Sequence, residues 1–176
     1  MDAENQEIKQ DDLSMEITDQ ECPVCHENSL TMKEEVRDIN GFGIAHFLSM
    51  SCTKCGYYKS DIEADEERKP FKETIKIENE NDLDIKIIKS ADATIKFQRI
   101  SEIIPTDSSN GYITTVKGLL NAEKKKLEEL KEGEEDDAER KKIKNKIKKI
   151  GRILWGRDSL QITIEDPTGN SVILRK

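Results

Sequence analysis

Cys22-Pro23-Val24-Cys25 and Cys52-Thr53-Lys54-Cys55 hold all four cysteines of the chain, with 26 residues between the two pairs. Zinc favours four tetrahedral thiolates, and a Cys-x-x-Cys turn presents two sulfurs from one tight knuckle. Cys22, Cys25, Cys52 and Cys55 therefore read as the ligands of one zinc ion. The linking segment has to run out and back. Leu30 to Val36 and Ile44 to Met50 supply two strands, with Asn40, Gly41 and Gly43 near the bend, and the unit reads as a zinc ribbon. Gly56 directly after Cys55 suits a knuckle, because a residue without Cβ lets backbone N–H groups approach the sulfur. Four thiolates leave no open coordination position, so the zinc is expected to hold structure and do no chemistry.

Other uses of four cysteines fit less well. A thioredoxin-like site needs one Cys-x-x-Cys at a strand-to-helix junction, which neither pair has. Disulfides need an oxidising compartment, and an iron–sulfur cluster is a poorer match to paired knuckles. His26 adjoins Cys25 and His46 lies in an apolar stretch, but four cysteines already fill the sphere, and His46 reads as an ordinary strand residue.

Outward from the ribbon, the N-terminal side is acidic. Residues 1–20 carry seven acids against Lys9 alone, a net of −6, out of −8 for the whole 176-residue chain. With few apolar residues to offset its ordering entropy, this stretch is expected to be a disordered, solubilising tail. Within the ribbon, residues 21–63, the stretch 22–60 is neutral: Lys33, Arg37, Lys54 and Lys59 balance Glu27, Glu34, Glu35 and Asp38. A nucleic-acid-gripping ribbon would carry a positive surplus. No apolar run approaches the ~20 residues of a bilayer span and no basic-plus-apolar leader opens the chain, which points to a cytoplasmic protein that does not enter membranes.

On the C-terminal side, a charged link (64–69) and Pro70 lead into period-2 patterns. Ile75 and Ile77, then Leu83, Ile85 and Ile87, then Ile95 and Phe97, and later Leu160, Ile162 and Ile164 each predict a strand with one buried face. Asp166-Pro167-Thr168-Gly169-Asn170 reads as a turn closing a hairpin with Ser171 to Leu174. Between these blocks Thr114 or Thr115 can cap a helix running to about Lys131, with Leu119, Leu120, Leu127 and Leu130 as its buried stripe. After Gly133 a second helix opens with acids and carries Ile143, Ile147, Ile150 and Leu154 at helical spacing. Residues 64–176 thus predict an antiparallel β domain with a helical hairpin inserted at about 115–154. From Arg140 to Arg152 there are eight basic residues and no acidic one. A solvated helix face explains this run, and so does a phosphate grip using the basic helix 140–152, which would make the chain a nucleic-acid-binding or transcription-associated zinc-ribbon protein. Asp92, Glu165 and Asp166 are candidates for polar contacts. No catalytic constellation emerges, so the chain is not expected to be an enzyme.

Met50-Ser51-Cys52-Thr53-Lys54-Cys55-Gly56-Tyr57, Lys89-Ser90-Ala91-Asp92-Ala93-Thr94, Gly111-Tyr112-Ile113-Thr114-Thr115-Val116-Lys117-Gly118-Leu119 and Ile164-Glu165-Asp166-Pro167-Thr168-Gly169-Asn170-Ser171 follow one another in this order. So arranged, the chain resembles the ZPR-type zinc-finger family (zinc finger protein ZPR-one) over about residues 21–174. The resemblance implies a four-cysteine zinc ribbon followed by a double-stranded β-helix, a jelly-roll-like domain bearing a helical hairpin. It implies one copy of a module that eukaryotic members carry twice, as in archaeal relatives. It also implies binding of translation elongation factor one alpha, in the role of a folding chaperone or assembly factor; the chain itself is expected to be a monomer. On that expectation Phe42, Ile44 and Phe47 are exposed apolar residues with which the ribbon meets its client, and the hairpin adds a second surface with Arg140, Lys144 and Lys148. Lys117 departs from the family, which commonly has an acid after Thr-Thr-Val, and bears on partner contact or on the helix start.

Overall fold

The computed structural model describes residues 13–175. β1 (Leu13–Glu21), β2 (Asn28–Ile39), β3 (Gly43–Cys52) and β4 (Tyr58–Ala64) form one antiparallel sheet in chain order, the ribbon. β2 and β3 contain the two strands read from the sequence, and they pair from Leu30 with Cys52 to Ile39 with Gly43. β1 corrects an expectation. Residues 13–20 are not a disordered tail but the ribbon's outermost strand, so the ribbon begins at Leu13, ahead of the expected residue 21. Met15 lies opposite Glu34, and Ile17 opposite Met32. Composition hid this strand because its acids alternate with apolar residues, and a neighbouring sheet can partner the apolar set. The first twelve residues of the expected tail lie outside the described residues.

The rest of the chain makes two further antiparallel sheets. β5 (Phe71–Ile77), β10 (Leu160–Asp166), β7 (Thr94–Phe97) and β8 (Ser101–Ile103) lie in that spatial order; β11 (Val172–Leu174), β6 (Lys86–Lys89) and β9 (Tyr112–Thr115) form the other. Facing sheets whose strands alternate between them make a jelly roll. The predicted strands at Ile75, Ile95 and Leu160 are present, and Ile75, Ile77, Ile95, Phe97, Ile162 and Ile164 all point into one core. The expected strand through Leu83 and Ile85 is instead a short 3-10 turn, Glu80–Asp84, capped by Asn79, with β6 starting at Lys86. Leu83 is buried all the same, because one turn of 3-10 helix turns it inward. The segment 166–170 does not close a hairpin. β10 and β11 belong to different sheets, so the turn carries the chain from one face of the roll to the other, and Gly169 takes the left-handed conformation, φ 78°.

The helical hairpin is α1 (Val116–Gly133) and α2 (Asp137–Leu154). Thr115 caps α1 by accepting from Gly118 N at 3.1 Å, and Asp136 caps α2 by accepting from Ala138 N and Glu139 N at 2.7 and 2.9 Å. Leu119, Leu120 and Leu127 of α1 and Ile150 and Ile153 of α2 join the jelly-roll core, with Ile143, Ile147 and Leu154 half-buried against it. Leu130, expected in the buried stripe, is exposed. No helix among the described residues is long and apolar enough to cross a membrane.

Candidate metal centre

Both cysteine pairs sit at strand ends, where a chain must turn sharply. In the first knuckle His26 N donates to Cys22 O and Cys22 N to Glu27 O, each at 2.9 Å. The second repeats the pattern: Gly56 N donates to Cys52 O at 3.1 Å and Cys52 N to Tyr57 O at 2.9 Å. The residue after the second cysteine of each pair is left-handed, His26 at φ 59° and Gly56 at φ 75°. This accounts for Gly56 and gives His26 a structural place, reinforced by a 3.2 Å contact between its Nδ1 and Glu21 Oε1.

The strands then bring the knuckles together. The Sγ atoms of Cys22 and Cys55 are 3.7 Å apart, as are those of Cys25 and Cys52, and all four lie within 4.8 Å of one another. Sulfurs placed about 2.3 Å from a central zinc would stand about 3.8 Å from each other, so the set fits a tetrahedral ion. A disulfide, with sulfurs about 2.05 Å apart, does not describe it. His26 and His46 are not in the cluster. Cys22 and Cys52 are buried with Leu30 beneath Met32, Met50 and Tyr57, so the centre has a dry inner side and a wet outer one at Cys55.

Hydrogen bonds around the sulfurs favour thiolates unevenly. Cys52 is pulled down to about 6, first by the Ser29 hydroxyl 3.2 Å from its sulfur and then by the N–H groups of Cys55 and Lys54. The Tyr57 N–H pulls Cys55 down as well, but desolvation and the crowding of the other three thiols push it up to about 12. Cys25 is likewise held down by the Glu27 N–H, yet ends raised by desolvation and its thiol neighbours. Bringing four sulfurs together resists ionisation unless a cation shares the site, which is the electrostatic case for a metal here. Ser29 was missed by sequence reading, since nothing in its surroundings marks a hydroxyl as aimed at sulfur.

The ribbon is fastened to the jelly roll by a polar junction that sequence reading also missed. Asp61, on β4, accepts from Ala91 N at 2.8 Å; Gly111 N donates to Ser60 O at 2.8 Å; Asn170 Oδ1 accepts from Ala64 N at 3.0 Å. A Cβ on Gly111 would stand 2.3 Å from Asp61 Oδ1, so only glycine allows this approach. Behind it Asp166 is buried and accepts from Ser90 Oγ, Ser171 Oγ, Thr168 N and Thr168 Oγ1 at 2.6–2.9 Å. Burial opposes ionisation of Asp166, but these donors hold its carboxyl below the usual range. Lys89 is buried beside it, its Nζ 2.8 Å from Ser90 O and 5.7 Å from the Tyr112 ring centre, and desolvation lowers its affinity for a proton. Of the other acids singled out, Glu165 pairs with Lys72 and Lys96 at 2.9 and 3.0 Å, and Asp92 is exposed.

The three motifs at Lys89, Gly111 and Asp166 therefore meet at one place, the socket of the ribbon. Residues 81–176, more than half of the chain, match the family model described as the ZPR1 jelly-roll domain. The chain belongs to the ZPR1 family. It is 30% identical over 174 residues to an uncharacterized ZPR1-like protein of Pyrococcus horikoshii, covering 96% of this chain and 78% of that protein. A ZPR1-like protein of Methanocaldococcus jannaschii is 30% identical over 156 residues, 88% of this chain and 79% of the relative. The zinc finger chaperone zpr1 of Schizosaccharomyces pombe is 28% identical over 159 residues, 88% of this chain but only 34% of that longer protein. The ZPR1 jelly roll, the hairpin on it and a four-cysteine ribbon are thus all in place.

The expected partner residues are dispersed. Phe42 is not exposed: it is buried with Ala45, Ile62 and Ile88 where ribbon meets roll, under the Arg68 guanidinium 4.0 Å from its ring. It closes a hydrophobic joint between ribbon and roll. Phe47 is half-buried under Arg37, while Ile44 is exposed. Lys117 is exposed in the first turn of α1, and Arg140, Lys144 and Lys148 are exposed on α2.

Proposed function

We propose that this chain is a zinc-dependent binding protein for translation elongation factor one alpha, acting in the cytoplasm as a folding or assembly factor and not as an enzyme. The observation that carries the reading is the four-sulfur centre at the end of a ribbon bolted to a ZPR1 jelly roll through the motifs of that family. The fission yeast relative named a zinc finger chaperone supports it. Zinc is the metal this donor set selects, since four thiolates in a closed tetrahedron suit it, and it would brace the ribbon without an open position for substrate. One centre implies one ion per chain, and the reading takes the chain as a monomer.

The test is capture with purified components: immobilised, zinc-loaded chain is mixed with elongation factor one alpha during refolding, with and without guanine nucleotide. Retention of the factor, and a higher yield of nucleotide-binding factor than without the chain, is the expected result. Neither retention nor improved yield under any nucleotide condition would sink the reading.

A second reading, nucleic-acid binding by α2, draws on one observation. Lys141, Lys144 and Lys148 share one solvent-facing line of the helix and have no carboxylate within ion-pair distance among the described residues, whereas Arg140, Lys142 and Arg152 pair with Asp137, Glu139 and Asp158. Binding of single-stranded RNA that weakens steeply with added salt, and is lost on replacing these three lysines by glutamine, would favour it; no binding at low salt removes it.

A further inference from the structure

The outer face of the ribbon is apolar where a sheet surface should be polar. Register puts Met15, Ile17, Met32, Leu48 and Met50 on one side of β1, β2 and β3, and they line a groove of about 320 Å³ beside the metal centre. Met15 is 56% exposed and Ile17 44%. The same β1 is the ribbon's free edge: β4 is closed off by Gly111, but no described strand pairs with the far side of β1. A register break after Ile17, with Asp19 at φ 57°, ends the regular edge and leaves Leu13–Ile17 as the open length.

We infer that this edge and groove form a docking site for an extended segment of another protein, which adds a strand to β1. An open edge offers unpaired N–H and C=O groups, whose natural complement is another strand. The groove asks for apolar side chains at alternate positions of that strand, and methionine walls adapt to several shapes. Charge selects what lies between them. Glu16, which alternates with Met15 and Ile17 and so stands on the other face of β1, has no ion pair among the described residues, whereas Lys33 opposite it on β2 is already engaged with Glu35 at 2.6 Å. The segment is therefore one in which lysine or arginine alternates with apolar residues. Two other occupants have the wrong charge. A second copy would line Glu16, Asp19 and Glu21 of both chains along one seam, and residues 1–12 carry five acids and one base.

The inference shares with the proposed function the premise that the chain binds protein, but not the partner's identity. It is tested with a synthetic probe, so its failure leaves the elongation-factor experiment to be judged separately. A capped ten-residue peptide alternating lysine with valine is titrated into the zinc-loaded full chain, followed by anisotropy of a labelled peptide and by amide hydrogen exchange. The expected result is saturable binding with added protection centred on Leu13–Ile17. The double variant M15K/I17K should bind at least tenfold more weakly, and so should wild-type chain with a glutamate–valine peptide. An unchanged metal content and melting curve would show the variant is folded; if it is not, M15S serves in its place with the same expectation. Absence of saturable binding, equal binding by the variant or by the acidic peptide, or protection elsewhere overturns the inference. So does a wild-type dimer that M15K/I17K splits, which assigns the edge to a second copy. A tenfold gain in peptide affinity on deleting residues 2–12 overturns it too, assigning the edge to the chain's own leader.

Discussion

Asp166 shows how much one buried carboxylate can organise. Four donors from Ser90, Thr168 and Ser171 surround it, tying β10, the 166–170 turn and the segment after β6 into one knot. Asp166→Ala leaves those hydroxyls without their acceptor, and the expected cost is about 3 kcal/mol in urea unfolding. The pH sign follows from the lowered carboxyl: its contribution is present above the unfolded-state value near 3.9 and is lost as pH falls through the lower folded value. Wild type should therefore lose stability more steeply than D166A in acid below about pH 4; parallel curves would contradict the knot. At the metal centre, Gly56 has open space where a Cβ would go, so Gly56→Ala tests backbone conformation alone. A loss of about 1 kcal/mol with unchanged metal content is expected, and His26 in the matching position shows why it should not be larger.

Among the elements, the ribbon strands are laced by a histidine. His46 on β3 reaches Glu34 on β2 at 2.6 Å through Nδ1 and Asp65, just past β4, at 3.1 Å through Nε2, with Glu63 across from it on β4. The Glu34 and Asp65 hydrogen bonds raise its pKa above the ordinary histidine value. A raised value means the stabilisation is full below the unfolded-state pKa near 6.5 and disappears as pH rises through the folded one. Exchange of the β3 amides should accordingly quicken as pH rises above about 6.5, beyond the intrinsic base-catalysed rate, and H46Q should abolish that excess. An excess that survives H46Q would place the coupling elsewhere. The joint between ribbon and roll depends on Gly111, whose missing Cβ lets β4 close on the chain before β9. Gly111→Ala should cost about 2 kcal/mol, and thermal unfolding should split into separate ribbon and jelly-roll transitions; a single transition at the wild-type midpoint would show that the joint gives way freely.

At the scale of the molecule, metal and core hold different halves. The jelly-roll core of Ile75, Ile95, Phe97, Leu119, Ile150 and Ile162 is large, while the ribbon has only Leu30 and the cysteines around its centre and Phe42, Ala45 and Ile62 at the joint. Chelation, or Cys52→Ser, should melt the ribbon and leave the roll folded: calorimetry would lose the ribbon's share of the enthalpy, and a roll transition would persist. An unchanged thermogram after complete metal removal would show that the centre contributes no stability.

The sequence alone determined the local features that chemistry makes unmistakable. Two Cys-x-x-Cys turns at ribbon spacing, helix caps at Thr115 and the acids ahead of Arg140, and the isoleucine alternations of β5, β7 and β10 each depend on residues close together in the chain. What failed were the readings that depend on a neighbour. Residues 13–20 look like a tail until β2 offers Met32 and Glu34 to pair with them. Leu83 keeps strand periodicity but turns on a 3-10 helix, and the strand after Asn170 leaves the sheet of β10 for the other face. Phe42 looked like a binding residue and is a joint. Only the tertiary structure decided that Lys89, Gly111 and Asp166, the first and last of them 77 positions apart, gather around Asp61, and that an apolar groove meets an open edge on β1. Spacing along a chain dictates what one turn or strand can do; which distant backbone and charge come to face it is settled by packing, and no local pattern records that.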